Sequence, residues 1–124
     1  MTPGRRIAGM LLCRSGESRV AFAAHEVATI ELPRDMVRPV GAARQAFGEP
    51  EGAERILVAD SGEAVGVDAL EIDAEPLEVL PVPALLSAMG GGSLRGFVLA
   101  RGSLWPLMSL VDFGRYLAPP EEVS

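Results

Sequence analysis

Apart from its carboxylates and hydroxyls, this chain has few side chains that could act as a nucleophile, a general base or a metal ligand. Its 124 residues include one cysteine, Cys13, and one histidine, His25, and they include no lysine. Nucleophilic catalysis needs a nucleophile, a base and a group that orients the base, and a structural zinc site needs several nitrogen or sulfur ligands. Glu26 adjoins His25, but adjacent residues point to different sides of a helix or strand. The sequence therefore predicts no enzyme, no bound metal and no cofactor.

The acidic residues are numerous, and they fall in expected loops or on the polar face of expected strands. Eight of the seventeen lie close together in three groups, Glu49/Glu51/Glu54, Glu71/Asp73/Glu75 and Glu121/Glu122. Paired catalytic carboxylates need a cleft, which a small β domain could hardly enclose. The Gly90-Gly91-Gly92 run lacks the preceding strand and the following Lys-Ser/Thr of a phosphate loop. These features predict solvated surface and a connector, which leaves binding modules as the function class.

Composition and charge narrow the range of partners. The net charge is −6 at pH 7, and 48% of the residues are hydrophobic. This predicts a folded domain for which nucleic acid and anionic membranes are poor partners. Arg5-Arg6 followed by Ile7–Cys13 has the outline of a secretion signal, but no small-residue cleavage site follows, so we predict a first strand. With a lone cysteine and no apolar run of membrane-spanning length, we expect a cytoplasmic domain without direct membrane insertion.

Short apolar runs separated by turn residues predict three hairpins. They pair Ile7–Arg14 with Arg19–Ala23, Arg55–Asp60 with Ala64–Val67, and Arg95–Ala100 with Leu104–Leu110. The stretch Asp68–Ile72 is expected to extend the second hairpin, with Leu70 and Ile72 on one face and Glu71 and Asp73 on the other. Val111–Leu117 is expected to form a short helix. Short strands at this spacing, with no long helix between them, predict an all-β barrel or sandwich with short helices.

The order of these motifs resembles the CheW-like domain of bacterial chemosensory arrays. Four stretches carry the resemblance: LLCRSGESRVAFAAHEVATIELP, VRPVGAARQAFG, RILVADSGEAVGVDALEI and LRGFVLARGSLWPLMSLVDFGRYL. They look like the family's opening hairpin with its Val-x-x-Ile strand, the segment that follows it, the central Gly-x-x-Val-Asp hairpin, and the closing hairpin with its final helix. Together they span about residues 7–117, and their shared order is more specific than any one of them.

The resemblance implies a single CheW-like domain over residues 1–124, built as two small five-stranded β-barrels that share a hydrophobic core. Subdomain 1 would comprise about residues 7–50 plus the C-terminal part, and subdomain 2 about residues 54–100. In this chain Pro33–Met36 is followed almost directly by Val37–Val40, so the family's Asn-Leu-Arg-Gly stretch is missing. Thr29 also stands where the family has an acidic residue that is expected to pair with the arginine of that stretch. We therefore expect the first barrel to be truncated by about one strand.

For function, the resemblance implies a non-enzymatic adaptor. The helical tip of a methyl-accepting chemoreceptor would lie in the groove between the subdomains, on residues carried over from the family's motifs: Val27, Ile30, Val67, Leu70 and Ile72. The missing stretch implies weakened or lost coupling to a CheA-type histidine kinase, with Arg38 and Arg44 as candidate kinase or partner contacts. One alternative is a full coupling protein that still joins receptor and kinase. Another is a structural module that completes its barrel by homodimerisation or by pairing with another CheW-like protein.

Overall fold

The computed structural model describes residues 5–7, 9–15, 17–35, 41, 43, 54–86 and 92–117, with the backbone alone for 5–7. The strands in these ranges are β1 (Arg5–Ile7), β2 (Met10–Ser15), β3 (Ser18–Ala23), β4 (Thr29–Glu31), β5 (Arg55–Val58), β6 (Ala64–Val67), β7 (Ala69–Asp73), β8 (Leu77–Leu80), β9 (Leu94–Ala100) and β10 (Ser103–Met108). Helix α1 (Leu110–Leu117) follows β10, and short 3-10 turns span Ala24–Glu26, Pro33–Asp35 and Ala84–Leu86. No helix in the described ranges combines the length and apolar character needed to cross a membrane. The all-β class with short helices is confirmed.

The strands form a large curled sheet and a small sheet. Among the described residues, seven strands form the large sheet in the order β1-β8-β9-β10-β3-β2-β7, and three form the small sheet in the order β4-β5-β6. Neighbouring strands are antiparallel, except that β10 and β3 pair in parallel at Leu107 and Ala21. The three predicted hairpins are present as β2–β3, β5–β6 and β9–β10.

The strand numbers differ from the two five-stranded barrels that the resemblance implies. Within the described residues the large sheet has seven strands and the small sheet three. The ranges 7–50 and 54–100 both contribute strands to the large sheet, since β7 pairs with β2 and β9 pairs with β8 and β10. The physical reason is the pairing of β10 with β3, which sets the first and last hairpins side by side and joins their neighbours into one continuous sheet.

Strand β7 does not extend the β5–β6 hairpin, contrary to the expectation from its sequence. It pairs instead with β2 in the large sheet, where Leu70 lies opposite Cys13 and Ile72 opposite Leu11. Because directly opposed residues share one face of a sheet, this register sets the apolar side chains of β7 beside those of β2. Contact between apolar side chains of distant segments therefore decides which sheet the strand joins.

Each face of the large sheet covers a hydrophobic core of its own. The core inside the curl, called here the inner core, consists of Met10, Leu12, Ala21, Val79, Val98, Ala100, Trp105 and Leu107. The second core lies between the large sheet, the small sheet and α1, and is called the shared core. It consists of Leu11, Cys13, Val20, Phe22, Ala43, Leu57, Ala59, Val65, Val67, Leu94, Met108, Leu110 and Phe113. The two sheets are thus joined mainly by apolar packing, which acts in proportion to the area removed from water.

Helix α1 packs on the shared core through one fully buried aromatic side chain. The ring of Phe113 lies 6.2 Å from that of Phe22 on β3, measured between centroids. The helix begins at a capping serine, because the Oγ of Ser109 accepts a hydrogen bond from the Asp112 N–H at 3.3 Å. The cap and the buried ring together fix where the helix starts and which side of it faces inward.

The middle of α1 lies directly against the turn between β5 and β6. A Cβ atom at Gly114 would be 2.9 Å from the Cβ of Glu63 and 3.2 Å from the backbone nitrogen of Ala64. On the next residue, the Nε of Arg115 lies 3.1 Å from Glu63 Oε1. A hydrogen bond from the Ser61 hydroxyl is the main cause that lowers the pKa of Glu63 below its ordinary value, so this partner of the helix is ionised at neutral pH. Close approach at a glycine and an ion pair therefore hold the helix to the small sheet.

We expect Gly114→Ala to destabilise the protein. In an exposed helix interior, alanine is more favourable than glycine by roughly 0.5–1 kcal/mol. Here the added methyl group would meet the β5–β6 turn, and overpacking of this kind typically costs about 1–3 kcal/mol. Urea unfolding followed by circular dichroism should show a lower midpoint than wild type. A higher midpoint would mean that the turn does not hold α1 closely.

Candidate interaction site

Two exposed isoleucines lie at the margin of the shared core, one on each sheet. Ile30 on β4 lies opposite Leu57, and Ile72 on β7 lies opposite Leu11. Leu57 and Leu11 both belong to the shared core, so the isoleucines lie on the faces that are turned towards it. Even so, Ile30 is 41% exposed and Ile72 is 62% exposed. Each sheet therefore extends apolar surface beyond the area that the two sheets cover together.

Val27 and Leu70 connect these isoleucines to the core itself. Both are partly buried and pack against the shared core. Val27 follows the 3-10 turn that ends β3, and Leu70 precedes Ile72 on the same face of β7. The structure thus sets four of the residues predicted from the sequence around one apolar core. They are called here the groove set: Val27, Ile30, Leu70 and Ile72.

Val67, the fifth residue carried over from the family's motifs, does not lie on that surface. It is fully buried in the shared core, because β6 packs against both α1 and β2. A side chain without exposed surface cannot touch a docked partner, so Val67 belongs to the core and does not line the surface. Arg38 and Arg44, the candidate kinase or partner contacts, lie outside the described residues.

A second cluster, on the inner face of the large sheet, was not predicted from the sequence. Arg14 on β2 and Arg19 on β3 lie directly opposite each other. Their guanidinium carbons are 6.0 Å and 5.7 Å from the ring centroid of Trp105, which is cation–π range. The indole N–H of Trp105 donates a hydrogen bond to the Ala100 carbonyl at 2.9 Å. Strand alternation predicts that Arg14 and Leu12 share one face of β2. The parallel pairing of β10 with β3, which brings Trp105 next to the two arginines, has no local sequence signal.

A pocket of about 230 Å³ opens beside this cluster. It is lined by Leu12, Arg14, Ala69, Leu70, Glu71 and Trp105. Arg101, in the β9–β10 turn, reaches across to β7, with Nε 3.3 Å from Glu71 Oε1 and Nη1 3.1 Å from Asp73 Oδ2. Its φ of 53° is uncommon for a residue that carries a Cβ. The turn and β7 are therefore joined by ion pairs at one wall of the pocket.

Comparison with known proteins identifies a solved structure with a similar fold. No family model and no curated protein matches the chain. The structure is similar to the solved structure of the scaffolding protein TtCheW from Thermoanaerobacter tengcongensis, with a TM-score of 0.60 and 15% sequence identity. The similarity covers 86% of this chain and 89% of that chain. This chain has a CheW-like fold. The resemblance in the order of the sequence motifs is thereby confirmed at the level of the fold.

Within this CheW-like fold, the residues with the greatest chemical reactivity are not brought together. Cys13 is fully buried in the shared core, and burial raises the pKa of its thiol to about 12. His25 is exposed on the 3-10 turn after β3. In the part of the chain that the structure describes, no three His, Cys, Asp or Glu residues are grouped so that they could hold a metal ion. A buried, protonated thiol is a packing group and not a nucleophile.

We expect Cys13 to resist thiol reagents while the protein is folded. The thiolate is the reactive form, and at about pH 8 the buried thiol stays protonated and out of reach of solvent. Labelling with a disulfide reagent should be slow in buffer and fast in denaturing urea. Cys13→Ser provides the blank for both conditions. Rapid labelling of the folded protein would contradict the buried position of this side chain.

Proposed function

We propose that this chain is a non-enzymatic chemosensory adaptor that binds the helical cytoplasmic tip of a methyl-accepting chemoreceptor through the groove set. The observation that carries the proposal is the exposure of Ile30 and Ile72 on two sheets that share one core. The CheW-like fold supports an adaptor role, since the similar protein TtCheW is described as a scaffolding protein. The adaptor would work in the cytoplasm, at receptor arrays.

An amphipathic helix is the ligand that best suits the groove set. Such a helix presents apolar side chains along one face, and an apolar groove binds it through a few of these anchors. Full burial of an exposed aliphatic side chain contributes about 1.5–3 kcal/mol, so two isoleucines can supply much of the affinity of a modest interface.

We further propose that coupling to a CheA-type kinase is weakened or lost. The Asn-Leu-Arg-Gly stretch is absent from the sequence, and the small sheet has three strands within the described ranges. Thr29, which replaces the family's acidic residue, is exposed on β4. Loss of both partners of an ion pair is physically consistent, because one unpaired charge in a groove is costly. Arg38 and Arg44 remain sequence-based candidates for a kinase or partner contact.

Two alternative functions require different binding properties. A full coupling protein would bind receptor and kinase together and would need a replacement for the missing arginine. A structural module would instead pair its own strands with another chain. Among the described strands of the large sheet, β7 lies at one end of the order. An open strand edge is a template for pairing with a second copy or with another CheW-like protein.

Ile72→Asp and Ile30→Asp test the proposed receptor site. Each introduces a charge at a position whose side chain is desolvated when the receptor binds. We therefore expect the affinity for a receptor-tip helical hairpin to fall roughly tenfold or more. Leu104→Asp is the matched control, because Leu104 is 50% exposed and lies on β10, which is separated from β7 by β3 and β2. All three substitutions replace exposed side chains and should leave the thermal midpoint nearly unchanged. Isothermal titration calorimetry measures the affinities.

The same titration with the kinase regulatory domain separates the alternatives. Receptor binding with weak or absent kinase binding is the expected result. Equal, strong binding to both would favour the full coupling protein and overturn the loss of coupling. A molecular mass that rises with protein concentration, without receptor binding, would favour the structural module. If Leu104→Asp weakens receptor binding as much as Ile72→Asp does, the groove set is not the site.

A further inference from the structure

The inner face of the large sheet carries a site that the proposed receptor contact does not use. Arg14 and Ala69 are directly opposed across the β2–β7 ladder, and Leu12 and Glu71 form the next inward pair. Successive side chains of a strand alternate between its faces, so these residues lie on the face opposite to Leu70 and Ile72. The side chains of Leu12, Arg14, Ala69 and Glu71 are therefore on the side of β2 and β7 opposite to those of Leu70 and Ile72, and Leu70 is the one residue of the groove set that also lines the pocket.

Two positive charges lie side by side at this site, and Arg19 also donates a hydrogen bond from Nη1 to Ser103 Oγ at 3.3 Å. Arg14 and Arg19 are directly opposed, and like charges in this position destabilise a strand pair. Both guanidinium groups lie close to the face of one ring, that of Trp105. The carboxylate among the residues that line the pocket, Glu71, is engaged by Arg101 at 3.3 Å. An incoming carboxylate would relieve the repulsion between the two arginines, and it could accept hydrogen bonds from both.

The shape of the pocket fits a ligand that is larger than a small anion and partly apolar. Ala69 is a small residue opposite Arg14, and it leaves open the space between that arginine and Glu71. Leu12 and Trp105, 2% and 3% exposed, form an apolar floor. A ligand that fits both features carries a carboxylate next to an aliphatic group, and an acidic peptide that contains a leucine or isoleucine has this chemistry.

We propose that this pocket binds an acidic segment of a partner protein, with a carboxylate on Arg14 and Arg19 and an aliphatic side chain against Leu12 and Trp105. The charge complements the site even though the whole chain carries a net charge of −6. Arg101 acts as a positioning residue, because its ion pairs hold β7 and Glu71 at the wall of the pocket. The site gives the protein a second interaction surface, and it does not depend on the proposed receptor binding.

Trp105 makes the site directly observable, since the chain contains one tryptophan. The probe is the blocked peptide acetyl-Glu-Leu-Glu-amide, titrated into the full chain while the intrinsic fluorescence is recorded. We expect a saturable change at up to roughly millimolar peptide, which weakens as salt is added because the contact is partly ionic. The neutral peptide acetyl-Gln-Leu-Gln-amide and inorganic phosphate are titrated in parallel.

Two variants separate the charge of the site from its shape. Arg14→Gln removes one guanidinium group, and Ala69→Leu fills the pocket from an exposed position on β7 while both arginines remain. Each should weaken binding of the acidic peptide by about tenfold or more. Arg55→Gln is the control, because Arg55 is an exposed arginine on β5 of the small sheet. It should leave the titration unchanged.

Several outcomes would overturn the proposal. No saturable change with the acidic peptide would do so, as would an equal response to the neutral peptide. An equal response to phosphate would mean that the arginines attract any anion and that the pocket has no peptide specificity. If Ala69→Leu folds normally by circular dichroism and binds as wild type does, the pocket is not the site. Receptor affinity is measured on the same variants, so that failure of one surface is distinguishable from failure of the other.

Discussion

Strand β2 is apolar on both faces, and the arrangement of the other elements follows from the need to cover both of them. Met10 and Leu12 point into the inner core, whereas Leu11 and Cys13 point into the shared core. A strand of this kind must lie inside a sheet with packing above and below it. Strands β3 and β7 pair with its two edges, the curl of the large sheet covers one face, and the small sheet with α1 covers the other.

The position of β7 beside β2 also decides where the protein can make contacts. Leu70 and Ile72 continue the apolar face that leads to the shared core, while Ala69 and Glu71 face the inner side. One short strand therefore contributes to the groove set and to the pocket at the same time. The ion pairs of Arg101 join this strand to the β9–β10 turn. The strand that contributes to both surfaces is therefore fixed by its pairing with β2 and by these ion pairs. Fixed geometry of this kind favours binding, because binding is weakened when the contact groups must first be ordered.

Short-range patterns in the sequence predicted a large part of the fold. The hairpins and α1 follow from turn residues and from side-chain periodicity, which involve residues close together in the chain. The two faces of β7 were also assigned correctly, with Leu70 and Ile72 on one side and Glu71 on the other. The neighbour of β7 was assigned wrongly, because pairing with β2 depends on contact between segments that are far apart in sequence. For the same reason Val67 was assigned to the groove, although packing from α1 and β2 buries it completely.

The sequence by itself determined the all-β class, the hairpins, the short helix and the alternation of apolar and polar faces. Each of these depends on the local geometry of the backbone, in which the direction of a side chain repeats with a fixed period. The tertiary structure alone decided which apolar side chains stay exposed, so that Ile72 is open to solvent while Val67 is not. It also decided that Arg14, Arg19 and Trp105 meet, through the parallel pairing of β10 with β3. Exposure and clustering of this kind depend on packing between distant segments, which local periodicity cannot specify.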